Sequence, residues 1–144
     1  MSKPYLQIKI VIADDHEMVR EGLQIMASKI EDIEIIGEAS NGEELVILTR
    51  RLMPDVVMVD VKMPRYSGVE ATRLIKQEFP HIGVIALSSY DEESLVLDML
   101  NAGAKGYLLK NASKHEITEA VKSVYRDEPY YCKDIQQKLA QMIA

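Results

Sequence analysis

The sequence predicts an α/β fold, a doubly wound five-stranded parallel sheet of order 2-1-3-4-5 with five flanking helices. Three observations lead there. Five short apolar runs recur along the chain, the segments between them carry helical spacing, and Asp14, Asp60, Ser88 and Lys110 follow directly on the first, third, fourth and fifth runs. Alternation of short apolar runs with amphipathic segments marks β/α repeats around a parallel sheet.

The runs are Ile8–Ala13, Ile33–Ala39, Val56–Val59, Ile82–Leu87 and Tyr107–Leu109. Most read as unbroken hydrophobic stretches, as strands covered on both faces do, whereas Ile33-Glu34-Ile35-Ile36-Gly37-Glu38 mixes in charge and reads as an edge. An edge second strand suits the order 2-1-3-4-5. Val19, Leu23, Met26 and Ile30 form one stripe of a first helix. Three later helices announce their starts by an acceptor with Glu three residues on: Asn41 with Glu44, Ser67 with Glu70, and Ser113 with Glu116. The two serines match the capping box, and Asn41 can cap likewise. Asp91-Glu92-Glu93 suits the positive end of a further helix whose apolar side is Leu95, Met99 and Ala102.

Residues 1–128 read as one domain. Asp127-Glu128-Pro129 breaks the last helix, and 129–144 reads as a linker and the start of another helix, with Ile135, Leu139 and Met142 on its apolar side. At 144 residues and 47% hydrophobic, the chain can bury a core without staples. A single cysteine, Cys132, rules out an internal disulfide and fits a reducing cytoplasm. No apolar run is long enough to cross a bilayer. With a net charge of -6 and no basic stripe, these residues are a poor nucleic-acid surface by themselves.

In an open α/β sheet the loops at the carboxyl ends of the strands meet around one crevice. Strand one ends in Asp14-Asp15, strand three in Asp60, strand four in Ser88-Ser89 and strand five in Lys110. Carboxylates gathered so closely repel one another unless a cation lies among them. Mg²⁺ suits an open oxygen cluster that leaves room for water and phosphate, and Mn²⁺ or Ca²⁺ can substitute chemically. A carboxylate beside such an ion can attack a phosphoryl group, with Lys110 and the Ser88 hydroxyl holding oxygens as charge shifts. Taken singly, an Asp can be a helix cap, Ser88 a turn residue and Lys110 a solvated charge. Asp60 is harder to dismiss, because a carboxylate ending a buried apolar strand needs a partner or a function.

These residues resemble the receiver domains of bacterial two-component response regulators, particularly those of NarL/LuxR-type transcription factors, over roughly Ile8 to Arg126. Ile10-Val11-Ile12-Ala13-Asp14-Asp15-His16 with Val19-Arg20-Glu21-Gly22-Leu23 is similar to the family's opening segment. Pro54-Asp55-Val56-Val57-Met58-Val59-Asp60, then Met63-Pro64 and Gly68, resembles the segment bearing the phosphorylated aspartate. Val84-Ile85-Ala86-Leu87-Ser88 and Ala102-Gly103-Ala104-Lys105-Gly106-Tyr107-Leu108-Leu109-Lys110 resemble the last two strands. The resemblance implies a flavodoxin-like (CheY-like) fold in which a histidine kinase donates phosphate to Asp60. It also implies Mg²⁺ on Asp14, Asp15, Asp60 and the Lys62 carbonyl, a switch formed by Ser88 and Tyr107, and a readout surface on helix four, strand five and helix five.

Departures from the family pattern carry their own expectations. Lys62 replaces a small polar residue, and Tyr90 lies two past Ser88. A long cation and a bulky aromatic there shield an acyl phosphate from water, so self-dephosphorylation is expected to be slow. Asn111 stands where many receivers place a cis proline, and a non-proline cis bond costs about 2.5–4 kcal/mol; the loop geometry after Lys110 is left open.

Other readings fit less well. An aspartate-nucleophile phosphohydrolase wants Asp-x-Asp, which Asp60-Val61-Lys62 lacks, and a flavin binder wants a phosphate loop where Asp14-Asp15-His16-Glu17 would repel phosphate. His16, without a nearby His or Cys, reads as a helix-start residue rather than a transition-metal ligand. A regulator of the NarL/LuxR type would continue into a helix-turn-helix domain and contact DNA only through it. The chain is therefore expected to be shortened, with a free-standing receiver as the alternative and homodimer formation on phosphorylation as a further expectation.

Overall fold

Strands buried on both faces need helices on both faces, and the element order follows that demand. The computed structural model describes residues 7–89 and 95–143. Along the chain run β1 (Ile8–Ala13), α1 (Glu17–Ala27), β2 (Ile33–Ala39), α2 (Gly42–Leu52), β3 (Val56–Asp60), α3 (Gly68–Glu78) and β4 (Gly83–Ser88). Then follow α4 (Val96–Ala102), β5 (Gly106–Leu109), α5 (Lys114–Tyr125), β6 (Tyr130–Tyr131) and α6 (Lys133–Ile143). The strands lie in the order β2-β1-β3-β4-β5-β6, every pair parallel. All of β3, β4 and β5 is buried, whereas β2 is buried only at its two ends, with exposed and half-buried residues between them, as suits an edge.

The helix starts form through the acceptors expected for them, though not all equally. Ser113 and Glu116 make the full reciprocal box. Ser67 accepts from the Glu70 N–H at 3.2 Å without a return bond among the described contacts, so it is a one-sided cap. Asn41 accepts from Glu44 N–H at 2.8 Å, and Glu44 reaches back to the Ser40 N–H instead. The proposed start of α4 at Asp91 lies outside the described residues. Its end is set by Gly103, whose φ of 116° is open to glycine at little cost.

One expectation needs correction: the sheet has a sixth strand, and the helix expected after residue 129 packs behind it as a sixth. Tyr130 and Tyr131 run parallel to Gly106 and Tyr107, with Tyr130 N–H donating to Lys105 O at 3.0 Å and Cys132 N–H to Tyr107 O at 3.2 Å. An uncovered β5 would present a row of unpaired backbone groups, and this short segment occupies part of that edge. Ile135, only 1% exposed, anchors α6 behind it. A two-residue strand carries no readable periodicity, so the sequence showed the helix but not the strand before it.

Candidate functional site

The parallel register brings the polar residues to one end. Ala13 is level with Val59, Asp60 with Leu87, and Ser88 with Leu109, so the residues that close each strand share one rim. Asp60 belongs to β3 itself and is 1% exposed, as is Asp14 just beyond β1. Two tight turns hold these carboxylates. Asp14 Oδ1 accepts the His16 N–H at 2.8 Å, and Asp60 Oδ1 accepts the Lys62 N–H at 3.1 Å. Gly68 makes the second turn possible, because a Cβ there would collide with the Asp60 carbonyl oxygen; its N–H instead donates to Val61 O at 3.1 Å.

Lys110 Nζ stands between the two buried acids, 2.9 Å from Asp60 Oδ2 and 3.1 Å from Asp14 Oδ2. One ammonium serves two carboxylates. Burial pushes the Asp60 carboxyl above its ordinary range, the hydrogen bonds from Lys110 and Lys62 only partly oppose this, and the Asp14 charge adds to the rise. For Lys110 burial acts downward, but Asp60 and Asp14 outweigh it and hold the ammonium charged. The site therefore has an excess of negative charge in a dry place.

Oxygens of Asp14, Asp15 and Asp60 and a ring nitrogen of His16 lie within 4.8 Å of one another. Asp14 Oδ2 is buried and has no hydrogen-bond partner, only the ion pair with Lys110. An oxygen-rich donor set that shares a single ammonium, partly open through exposed Asp15, fits a hard divalent cation. The proximity of His16 exceeds what its sequence context indicated. It is the N-cap residue of α1, and its Nδ1 lies 2.9 Å from Asp14 Oδ1 and 3.1 Å from Asp15 Oδ1. Its ring is largely exposed and leans on the acids from outside.

On the other flank Ser88 is buried at the end of β4, and its carbonyl accepts the Lys110 N–H at 2.9 Å. Ser88, Ser89, Leu109, Lys110 and Asn111 line a cavity of about 230 Å³. No cis peptide occurs among the described residues, so the bond before Asn111 is trans. Tyr107 lies away from the acids: fully buried in β5, it is level with Ala86 and Tyr131, two positions along the register from the Ser88 pair. The Lys62 side chain is exposed, and Tyr90 lies outside the described residues.

Comparison with known proteins decides the family, since the family model for the response regulator receiver domain matches residues 10–122. The chain belongs to the response regulator receiver family. This receiver is 38% identical to the response regulator GacA of Pseudomonas aeruginosa over 133 residues, covering 92% of the chain and 62% of that relative. It is 39% identical to the response regulator UvrY of Escherichia coli K12, covering 92% of the chain and 61% of the relative. The chain thus spans about three fifths of the length of these curated relatives. The crystal structure of a LuxR-family two-component response regulator from Aurantimonas sp. SI85-9A1 superposes with a TM-score of 0.88 at 28% identity, covering 95% of this chain and 98% of that one. The residues matched by the family model include Asp14, Asp15, Asp60, Ser88 and Lys110.

Proposed function

We propose that this receiver accepts a phosphoryl group on Asp60 from a phosphohistidine of a partner histidine kinase. The observation that carries this reading is a buried carboxylate, 1% exposed, held at 2.9 Å by Lys110 within an acid cluster suited to a divalent ion. An Asp60 carboxylate oxygen forms the bond to phosphorus as the phosphorus–nitrogen bond to the donor imidazole breaks, and that nitrogen keeps the electron pair. Mg²⁺, bound by Asp14, Asp15, Asp60 and the Lys62 carbonyl, would supply the positive charge that lets an anionic nucleophile meet an anionic donor, and Mn²⁺ could take its place. Lys110 then pairs with the phosphoryl oxygens, and Ser88 donates its hydroxyl to them.

The gain of those contacts favours a second packing in which Ser88 is drawn toward Asp60 and Tyr107 turns into the space released. The altered α4, β5 and α5 surface signals onward. In the longer protein, residues 129–144 would lead to a DNA-binding domain, with homodimer formation after phosphorylation and a cytoplasmic setting. Among the described residues no helix is long and apolar enough to cross a membrane. The Lys62 side chain and Tyr90 slow attack by water on the acyl phosphate. The domain is a phosphoacceptor that assists its own phosphorylation and dephosphorylation.

The test is incubation with a small acyl-phosphate donor and Mg²⁺, followed by intact-mass measurement of the parent and Asp60→Asn. One phosphoryl group, stable in acid, labile in base and absent from Asp60→Asn, is expected. A parent that gains no such adduct ends this reading. Lys62→Asn with Tyr90→Ala should shorten the adduct's lifetime, and an unchanged decay rate removes the shielding role.

A further inference from the structure

Asp14 is held by more than its own turn. Its N–H donates to Ala39 O at 3.1 Å, and its carbonyl oxygen accepts from Arg20 Nη1 at 2.7 Å. The Arg20 side chain is only 17% exposed, and its Nε donates to Glu38 Oε1 of β2 at 3.1 Å. Glu38 is held in turn, its Oε2 accepting from Gln24 Nε2 at 2.9 Å. A chain of charge-assisted hydrogen bonds thus runs from the edge strand through α1 to the backbone of the acidic pair.

We infer that Arg20 is a positioning residue for the cation site, fixing the Asp14–Asp15 peptide and so the directions in which both carboxylates leave the backbone. This rests on the phosphoacceptor reading and extends it to a residue outside the site. The Asp14 carbonyl belongs to the planar unit that joins the two acidic residues, so holding that oxygen sets the tilt of the whole unit. The constraint is needed because these carboxylates repel each other, and a loop free to rotate would turn one of them outward to water. Arg20 touches none of their oxygens in the described contacts; it acts through the backbone. Its planar fork uses Nε on Glu38 and Nη1 on the carbonyl together, which a lysine ammonium on a flexible stem does not reproduce.

The plain alternative is an ion pair that ties α1 to β2, adding a little stability and nothing to the site. The two differ in what they do to cation affinity. Loss of an outer-shell partner typically costs metal sites 10- to 100-fold in affinity. For Arg20→Ala we expect the Mg²⁺ concentration giving half-maximal phosphorylation to rise about tenfold. The rate at saturating Mg²⁺ should stay within about twofold, because the ion itself restores the geometry.

Calorimetric titration of Mg²⁺ into the full chain without phosphodonor should show the same loss. Arg20→Lys should not rescue it. Glu38→Gln, which keeps an acceptor for Nε, should fall between parent and Arg20→Ala, and Glu38→Ala should add little in the Arg20→Ala background. Parent-like Mg²⁺ dependence in Arg20→Ala, or in Glu38→Ala if the first variant does not fold, overturns the inference while the phosphoacceptor reading stands. A parent with no Asp60-dependent adduct overturns both.

Discussion

The two flanks of Asp60 are built from different materials. On the β1–β2 side, directed polar contacts hold the side chains and the backbone: His16 on Asp14 and Asp15, Arg20 on the Asp14 carbonyl, Glu38 on Arg20. On the β4–β5–β6 side the contacts are apolar and backbone-mediated: buried Ser88, fully buried Tyr107, a two-residue strand and one anchoring isoleucine. Hydrogen bonds with directed partners favour one geometry, whereas packing of a side chain in a sheet can have a second solution at small cost. On the proposed function, the first flank would hold the acid cluster still and the second would accommodate a change of packing. Lys110 joins them, since it directly follows β5 yet pairs with Asp14 and Asp60.

That junction makes the largest prediction. Lys110→Ala leaves two buried carboxylates without their shared cation, and should lower Mg²⁺-free stability by about 3 kcal/mol in urea denaturation as well as abolish phosphorylation. Unchanged stability would mean that the pair is not felt in the fold and that the flanks are not coupled through it. On the second flank, Ile135→Ala should cost about 2 kcal/mol if β6 and α6 fold together with the sheet. Hydrogen exchange would then show whether protection is lost only at residues 130–143 or also at Tyr107. Loss confined to the tail would make the second flank two separable parts.

The charge on the first flank gives a pH test. The folded Asp60 carboxyl binds its proton more tightly than an unfolded one, so its contribution favours folding at low pH and is lost as pH rises from the unfolded value of 3.8 through the raised folded value. Asp60→Asn should therefore be more stable than the parent at neutral pH without metal, by about 1 kcal/mol, with the difference shrinking toward acid and on addition of Mg²⁺. A difference that does not vary with pH would locate its cause outside this ionisation. The smallest effect belongs to the helix starts: Ser113→Ala should cost about 1 kcal/mol and the one-sided cap lost in Ser67→Ala about 0.5, both by thermal denaturation. Equal losses would show that the return bond of Glu116 adds nothing.

The sequence by itself determined the parallel sheet, because burial on both faces leaves unbroken apolar runs, and it marked β2 as an edge, because charge is mixed into its run; that edge suits the order from β2 to β5 that the fold adopts. It also determined which residues share the rim, since in a parallel sheet every strand delivers its last residue to the same end. Asp14, Asp15, Asp60, Ser88 and Lys110 were legible for that reason alone. What carries no local pattern was decided by tertiary structure. Tyr130 and Tyr131 become a strand only because β5 offers an open edge, and Ser67 caps without a returned bond from Glu70 among the described contacts. Arg20 and Glu38 are ordinary charges on a helix and an edge strand until the β1–β2 register brings them together over the Asp14 carbonyl. Burial follows from composition along the chain, but which polar atom faces which depends on distances that only the folded sheet sets.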